Sequence, residues 1–343
     1  MQIPQSKYLN IPRTREVLIR AEAETNPEYG FQPDRRPVDV LLKYSVINLD
    51  KPIGPSSHEV VAWLRRALGI NRIAHAGTLD PKVSGILPIT VNNAIRVLPV
   101  LLHEDKEYIC VMRLHGDVDR EKLEETVYMF KGPIYQRPPL RSAVKRSLRV
   151  RKIYGIKLLE VDGRNVLLQV WCEAGTYMRK LCHDIGEVLG VGAHMQELRR
   201  IRSGSLIEEK GLSTMHDVVD AYYIWKSHGI EDYLRQVFLP VEEAVQHLPK
   251  VWIRDTAVDA VCHGAPLAVP GIVKLENNIH VGDRVAILSL KNELVAVGTA
   301  SMTTGQIMAA SSGIAVEVNH VVMEPGTYPR AWHTGNASAP VSF

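Results

Sequence analysis

Cysteine is scarce in this 343-residue chain, and what there is stands apart. Cys110, Cys172, Cys182 and Cys262 form no Cys-x-x-Cys pair. That spacing argues against a zinc knuckle or a disulfide framework and for reduced, partly buried thiols. Long apolar runs are lacking as well. None approaches the length of a membrane span, and the first residues carry no signal-like hydrophobic core, so a soluble, intracellular protein with no membrane contact is expected. An excess of one charge is missing too. The net charge is only +3, which by itself says little about a polyanionic partner. No glycine loop of the phosphate-cradling kind and no cluster of metal ligands stands out. What is present is ordinary globular composition, 45% apolar and 23% charged, over a length that suits about two domains.

The distribution of charge says more than its sum. From Arg137 to Lys152 there are seven Lys or Arg and no Asp or Glu. A solvated face usually mixes both signs, whereas a run of one sign is the footprint of a polyanion. Pro138-Pro139 excludes a helix at the start, so the run reads as an exposed loop entering a strand near Val150. Arg141, Lys145, Arg146, Arg149 and Arg151 are the candidate contacts to the phosphates of such a polyanion. Such contacts supply affinity and salt dependence, but little choice of sequence.

A second stretch, His75-Ala76-Gly77-Thr78-Leu79-Asp80-Pro81-Lys82-Val83-Ser84-Gly85, sets one acid among basic-capable side chains. Gly77 and Gly85 bracket it, and Pro81 pushes Asp80 out of the α region. Asp80 is thus presented on stiff backbone. By spacing alone the stretch is also a common Asp-Pro turn.

Taken in order, residues 1–40 are broken by prolines and read as an extension that packs on something else, with a short helix over Arg15–Glu24. Tyr44–Leu49 reads as a strand. Ser56 and Glu59 form a capping box for a helix to Leu68, with Val60, Trp63, Leu64 and Leu68 inward and Gly69 as the stop. Strands are expected at Ile86–Val91, at Lys106–Leu114 and at Val166–Cys172. Ala94–Leu102 reads as a short apolar helix, and Asp119 caps another to Phe130. Thr176 is expected to cap a helix with Met178, Leu181, Ile185 and Val188 inward. Arg179 sits in its first turn, where a cation is disfavoured unless a carboxylate meets it. Met195–Arg202 reads as a short helix, and His216–Trp225 and Glu231–Phe238 as two more. Beyond Lys250 short alternating runs with Gly/Pro/Asn turns suggest a small β barrel.

The ordered series of motifs resembles the pseudouridine synthases, in the branch that contains the tRNA T-loop synthase and dyskerin. Gly77-Thr78-Leu79-Asp80-Pro81 matches the motif whose Asp is the catalytic carboxylate. Leu49-Asp50-Lys51-Pro52 through His58 matches a bracing motif. Lys106-x-Tyr108, Pro138-Pro139-x-x-Ser142-Ala143-x-Lys145, Gly175-Thr176-Tyr177-x-Arg179 and Leu198 follow in family order. The resemblance implies catalysis by Asp80 and stacking of the target base on Tyr108. It implies Arg179 paired with Asp80, Leu198 near the base, and support from Lys51, His75, Gly77 and Thr78.

The fold implied is α+β: a mixed, largely antiparallel sheet flanked by helices over residues 41–248, with a C-terminal PUA β barrel over 249–332. Residues 1–40 would pack on that barrel, and 333–343 would form a disordered tail. The dyskerin-type, archaeal-looking layout implies isomerisation of uridine to pseudouridine, mainly in rRNA. Its partners would be a box H/ACA guide RNA, small accessory proteins of that particle and a kink-turn-binding ribosomal-type protein. No metal or organic cofactor is implied. Two other readings stand beside it, a stand-alone synthase acting on tRNA and a non-catalytic RNA scaffold.

Overall fold

The structure is a computed structural model, and it describes residues 15–137 and 147–330. It divides into two compact units. The first spans Leu42–Leu239, and the second joins the described residues up to Leu41 with those from Pro240 onward.

The first unit is built on one mixed sheet. Strand Tyr44–Lys51 runs antiparallel to Ser84–Asn92, with Lys51 opposite Gly85. Ser84 and Gly85 pair in parallel with Arg199 and Arg200 of strand Ala193–Ser203. Next come Lys106–Leu114, Asn165–Cys172, Arg149–Asp162 and Gly132–Gln136, each antiparallel to its neighbour. This is the mixed, largely antiparallel sheet expected from the sequence.

Helix Ser57–Leu68 starts at the Ser56–Glu59 capping box and ends at Gly69, whose φ of 67° is left-handed. Trp63 is 44% exposed, and Val61 takes the inward place expected for it. Helix Met178–Leu189 lies over the Lys106–Leu114 strand, bringing the buried Cys182 and Cys110 sulfurs to 3.5 Å. Its N-cap is Tyr177, not Thr176, because the Thr176 hydroxyl donates instead to the Glu173 carbonyl. Val188 faces outward and Leu189 inward.

Two expected helices are strands. Residues 195–202 lie within strand Ala193–Ser203, drawn into extended form by ladders on both sides. Tertiary pairing overrides the local helical pattern there. Within 15–24, Val17–Ile19 is a strand antiparallel to Ile272–Glu276. Its β-branched ends suit that edge better than a helix.

The second unit carries a seven-stranded sheet. It runs in order through Val17–Ile19, Ile272–Glu276, Lys250–Ile253, Arg284–Ser289, Leu294–Ala300, Ile314–Val321 and Leu267–Ala268. Helix Asp255–Cys262 adds Val258, Val261 and Cys262 to its apolar core. The connection after Leu239, expected to close the first domain, belongs here instead. The Glu242 carboxylate accepts both Arg36 guanidinium nitrogens at 2.8 Å and the Leu294 N–H at 2.7 Å. The tail expected at 333–343 lies outside the described residues.

Candidate active site

The segment between strands Ile73–His75 and Ser84–Asn92 is pinned from below, and Asp80 is left open on top. Leu79 and Val83 are buried. Ser57 grips Leu79 twice: its hydroxyl donates to the Leu79 carbonyl at 3.0 Å and accepts the Leu79 N–H at 2.9 Å. The Val83 N–H donates to the Asp80 carbonyl at 3.0 Å, and the Gly54 N–H donates to the Pro81 carbonyl at 2.8 Å. Lys51, fully buried, donates from Nζ to the carbonyls of Pro52 at 2.6 Å and Val83 at 2.8 Å. Burial lowers its pKa, and the nearby Asp80 charge pulls the other way.

Gly85 is obligatory at the loop's end. A Cβ there would lie 2.3 Å from the Arg200 carbonyl oxygen, on backbone with φ of 97°. Arg200 ties the loop to the adjoining strand. Its Nε donates to the Ile86 carbonyl at 2.6 Å and its Nη2 to the Gly77 carbonyl at 3.0 Å.

Above this frame the Asp80 carboxylate pairs with Arg179, and both side chains are more than half exposed. The pair spans 99 residues and is solvent-facing, so its worth lies in orientation more than in stability. Tyr108 sits opposite Arg200 in the ladder and hydrogen-bonds its guanidinium. Burial pushes the Tyr108 hydroxyl up, and the Arg200 charge pulls it back. Asp80 is close enough to be felt there as well. Leu198 is opposite Cys110, two positions from Tyr108, and therefore shares its face of the sheet. Tyr108 and Leu198 are each 9% exposed, so a bound base would meet only a small part of either side chain.

The other expected residues divide. Gly77, with φ of 81°, and Thr78 lie in the loop itself. His75 is partly buried, with its ring 4.9 Å from that of His58. Burial, then His58 and Arg200, push its pKa down to about 4. Arg151 is committed to Glu173 at 3.3 Å, with its side chain 20% exposed. Arg149 opens its strand opposite Gln136 and is partly exposed. Arg141, Lys145 and Arg146 lie outside the described residues.

Sequence reasoning missed Arg200, Lys106 and Ser57. Lys106 donates to the carbonyls of Leu101 at 3.0 Å and Leu102 at 3.3 Å. Burial, then the Arg200 charge, push it down to about 7. In the sequence both cations look like surface charges. For Lys106 the available signal was period-two alternation along Lys106–Leu114, which puts it on the Tyr108 face. Arg200 stands in a stretch whose local pattern reads as helix, and only its pairing opposite Tyr108 reveals it.

Known proteins share this arrangement along almost the whole chain. Residues 65–178 match the TruB family pseudouridylate synthase N-terminal domain, and 179–246 the tRNA pseudouridylate synthase B C-terminal domain. Residues 249–322 match the PUA domain and 6–61 the DKCLD (NUC011) domain. A probable tRNA pseudouridine synthase B of Methanopyrus kandleri is 56% identical over 96% of this chain and 97% of its own. The chain belongs to the TruB family of pseudouridine synthases. It is therefore an RNA isomerase carrying a PUA domain. A namesake from Thermococcus kodakarensis is 57% identical over 93% of this chain and 94% of its own.

Among solved structures, a Cbf5-Nop10-Gar1 complex holds a chain 56% identical to this synthase, with a TM-score of 0.87 over 93% of this chain and 97% of that one. An H/ACA RNP bound to a substrate RNA containing 2'-deoxyuridine holds another at 53% identity. Its TM-score is 0.87 over 94% of this chain and all of that one.

Proposed function

We propose that this synthase isomerises uridines selected by a box H/ACA guide RNA, mainly in rRNA, with Asp80 as the reacting carboxylate. In the isomerisation the N1–C1′ bond of uridine breaks and a C5–C1′ bond forms. N1 gains a proton and C5 loses one, so no external group and no net redox change are needed. Asp80 suits the reacting role because it is open to substrate while its backbone is pinned by Ser57 and Gly54. Arg179 orients its carboxylate. A uridine flipped out of its helix would rest against the small exposed parts of Tyr108 and Leu198.

The observation that carries the guided reading is the likeness to the H/ACA complexes at 53–56% identity across both units. Small accessory proteins and a kink-turn-binding ribosomal-type protein belong to the same reading. Base pairing to a guide would supply the choice of target in this reading, as it does in other guided systems. A second reading, a guide-free tRNA synthase, is favoured by the names of the curated relatives.

Pseudouridine mapping by chemical-adduct primer extension separates the two. Full-length protein is given either an unmodified tRNA transcript alone or an H/ACA hairpin with its complementary target. Conversion of the target only when the hairpin is present supports the guided reading. Efficient conversion of the T-loop with no guide, and none of the guided target, supports the other.

A further inference from the structure

The helix that carries Arg179 has no cap of its own. Tyr177 is its N-cap, and that side chain makes no capping hydrogen bond. Helix starts usually take a Ser, Thr, Asp or Asn oxygen to satisfy their free N–H groups. Here the partner comes from another element. Gln136, the last residue of strand Gly132–Gln136, is 1% exposed. Its side-chain oxygen accepts the Tyr177 N–H at 2.9 Å, and its amide nitrogen donates to the Tyr177 carbonyl at 3.1 Å. That carbonyl also accepts the N–H groups of Lys180 at 3.1 Å and Leu181 at 3.0 Å. One buried amide thus holds both sides of the residue from which the helix begins.

Arg179 stands two residues further on, in a first turn whose dipole opposes a cation. Its meeting with Asp80 depends on the turn being held. Glu173, at the turn's other end, is held separately. Its carboxylate accepts the Lys152 N–H at 3.0 Å, and its own N–H donates to the Lys152 carbonyl at 2.9 Å.

We propose that Gln136 is a positioning residue for the isomerisation: its amide fixes the turn at Tyr177 so that Arg179 is delivered to Asp80. This rests on Asp80 and Arg179 being the reacting pair. Gln136 touches no substrate, and its effect runs through Arg179 alone.

Two full-length variants test it. Gln136→Glu keeps an acceptor for the Tyr177 N–H but sets a carboxylate oxygen against the Tyr177 carbonyl. Gln136→Met keeps the bulk and removes both bonds. Single-turnover rates and RNA affinities are measured on the tRNA transcript and on the guided target. The expected result is a rate lowered about ten- to a hundredfold, the size of loss seen when a reacting group is misplaced, with RNA affinity unchanged. In an Arg179→Ala background, Gln136→Met adds no further loss, which a merely structural role would not produce.

Wild-type rates in either variant, or a full additional loss in the Arg179→Ala background, overturn the proposal. If Gln136→Met fails to fold, Gln136→Glu decides by the same outcomes. Asp80→Asn separates the two levels of the argument. An active Asp80→Asn means the assignment of the reacting pair has failed. An inactive Asp80→Asn beside a fully active Gln136→Glu means only the positioning role has failed.

Discussion

An aspartate on a pinned loop can be changed without disturbing what pins it. Asp80 reaches outward, while Ser57, Lys51 and Arg200 hold backbone groups around it. Asp80→Asn should therefore keep the fold and RNA binding and lose pseudouridine formation, because a near-isosteric amide neither attacks carbon nor takes a proton. Adduct mapping beside a gel-shift checks both halves, and activity near wild type would refute the role. Lys51→Met should act the opposite way, through stability. It strands the Pro52 and Val83 carbonyls, at a cost of about 1–3 kcal/mol for each one left buried and unpaired, readable in urea melts.

His75 adds a pH dependence. Its folded pKa, about 4, is below the ordinary 6.5, so the unfolded chain binds its proton first as pH falls. Stability should decline between those two values, and His75→Gln should flatten that part of the profile. The pairing of Asp80 with Arg179 was legible in the sequence through their motifs. Arg200, Lys106 and Gln136 were not, because a buried, fully bonded cation or amide reads like a surface residue until its partners are known.

At the scale of elements, what was legible is what local chemistry decides. The Ser56–Glu59 box, the Gly69 stop, the Asp119 cap and the strand Lys106–Leu114 each follow from residues a few positions apart. The misses lie where distant strands decide. Ala193–Ser203 is extended because it fills the gap between Ser84–Asn92 and Lys106–Leu114. Val17–Ile19 is extended because Ile272–Glu276 offers an edge more than 250 residues away. The basic run belongs at this scale too, since the role proposed for it rests on the summed charge in the sequence and not on any one residue. Neutralising Arg141, Lys145, Arg146 and Arg149 together should weaken RNA binding. It should also reduce the log–log salt slope by about 0.7–0.9 for each phosphate that is no longer neutralised. An unchanged slope across a salt titration would show that the run does not neutralise RNA phosphates.

For the molecule as a whole, the first and last described segments meet on one buried carboxylate in the second unit. Glu293 is 3% exposed. It accepts the Phe31 N–H at 2.9 Å, the Ser289 hydroxyl at 3.1 Å and the Tyr328 hydroxyl at 2.6 Å. Gly30 passes so close that a Cβ would lie 2.3 Å from the Glu293 carboxylate. Lys291 reaches back to the Pro27 carbonyl at 3.2 Å, and Arg36 pairs with Glu242. The extension before residue 41 has too few apolar residues for a core of its own, so its described part is held by these bonds, by the Val17–Ile19 pairing, by the Arg20 bonds to the Ile307 and Ala310 carbonyls and by those of Thr25 and Asn26 to Asp255. Glu293→Ala should then strand three donors at once and destabilise the second unit by at least about 2 kcal/mol. Hydrogen exchange should rise first across residues 15–36 and around Tyr328. The ladder between Tyr44–Lys51 and Ser84–Asn92 should keep its protection, because the first unit has its own core. Exchange that rose equally in both units would mean that they unfold as one, and that Glu293 is not a local anchor of the extension.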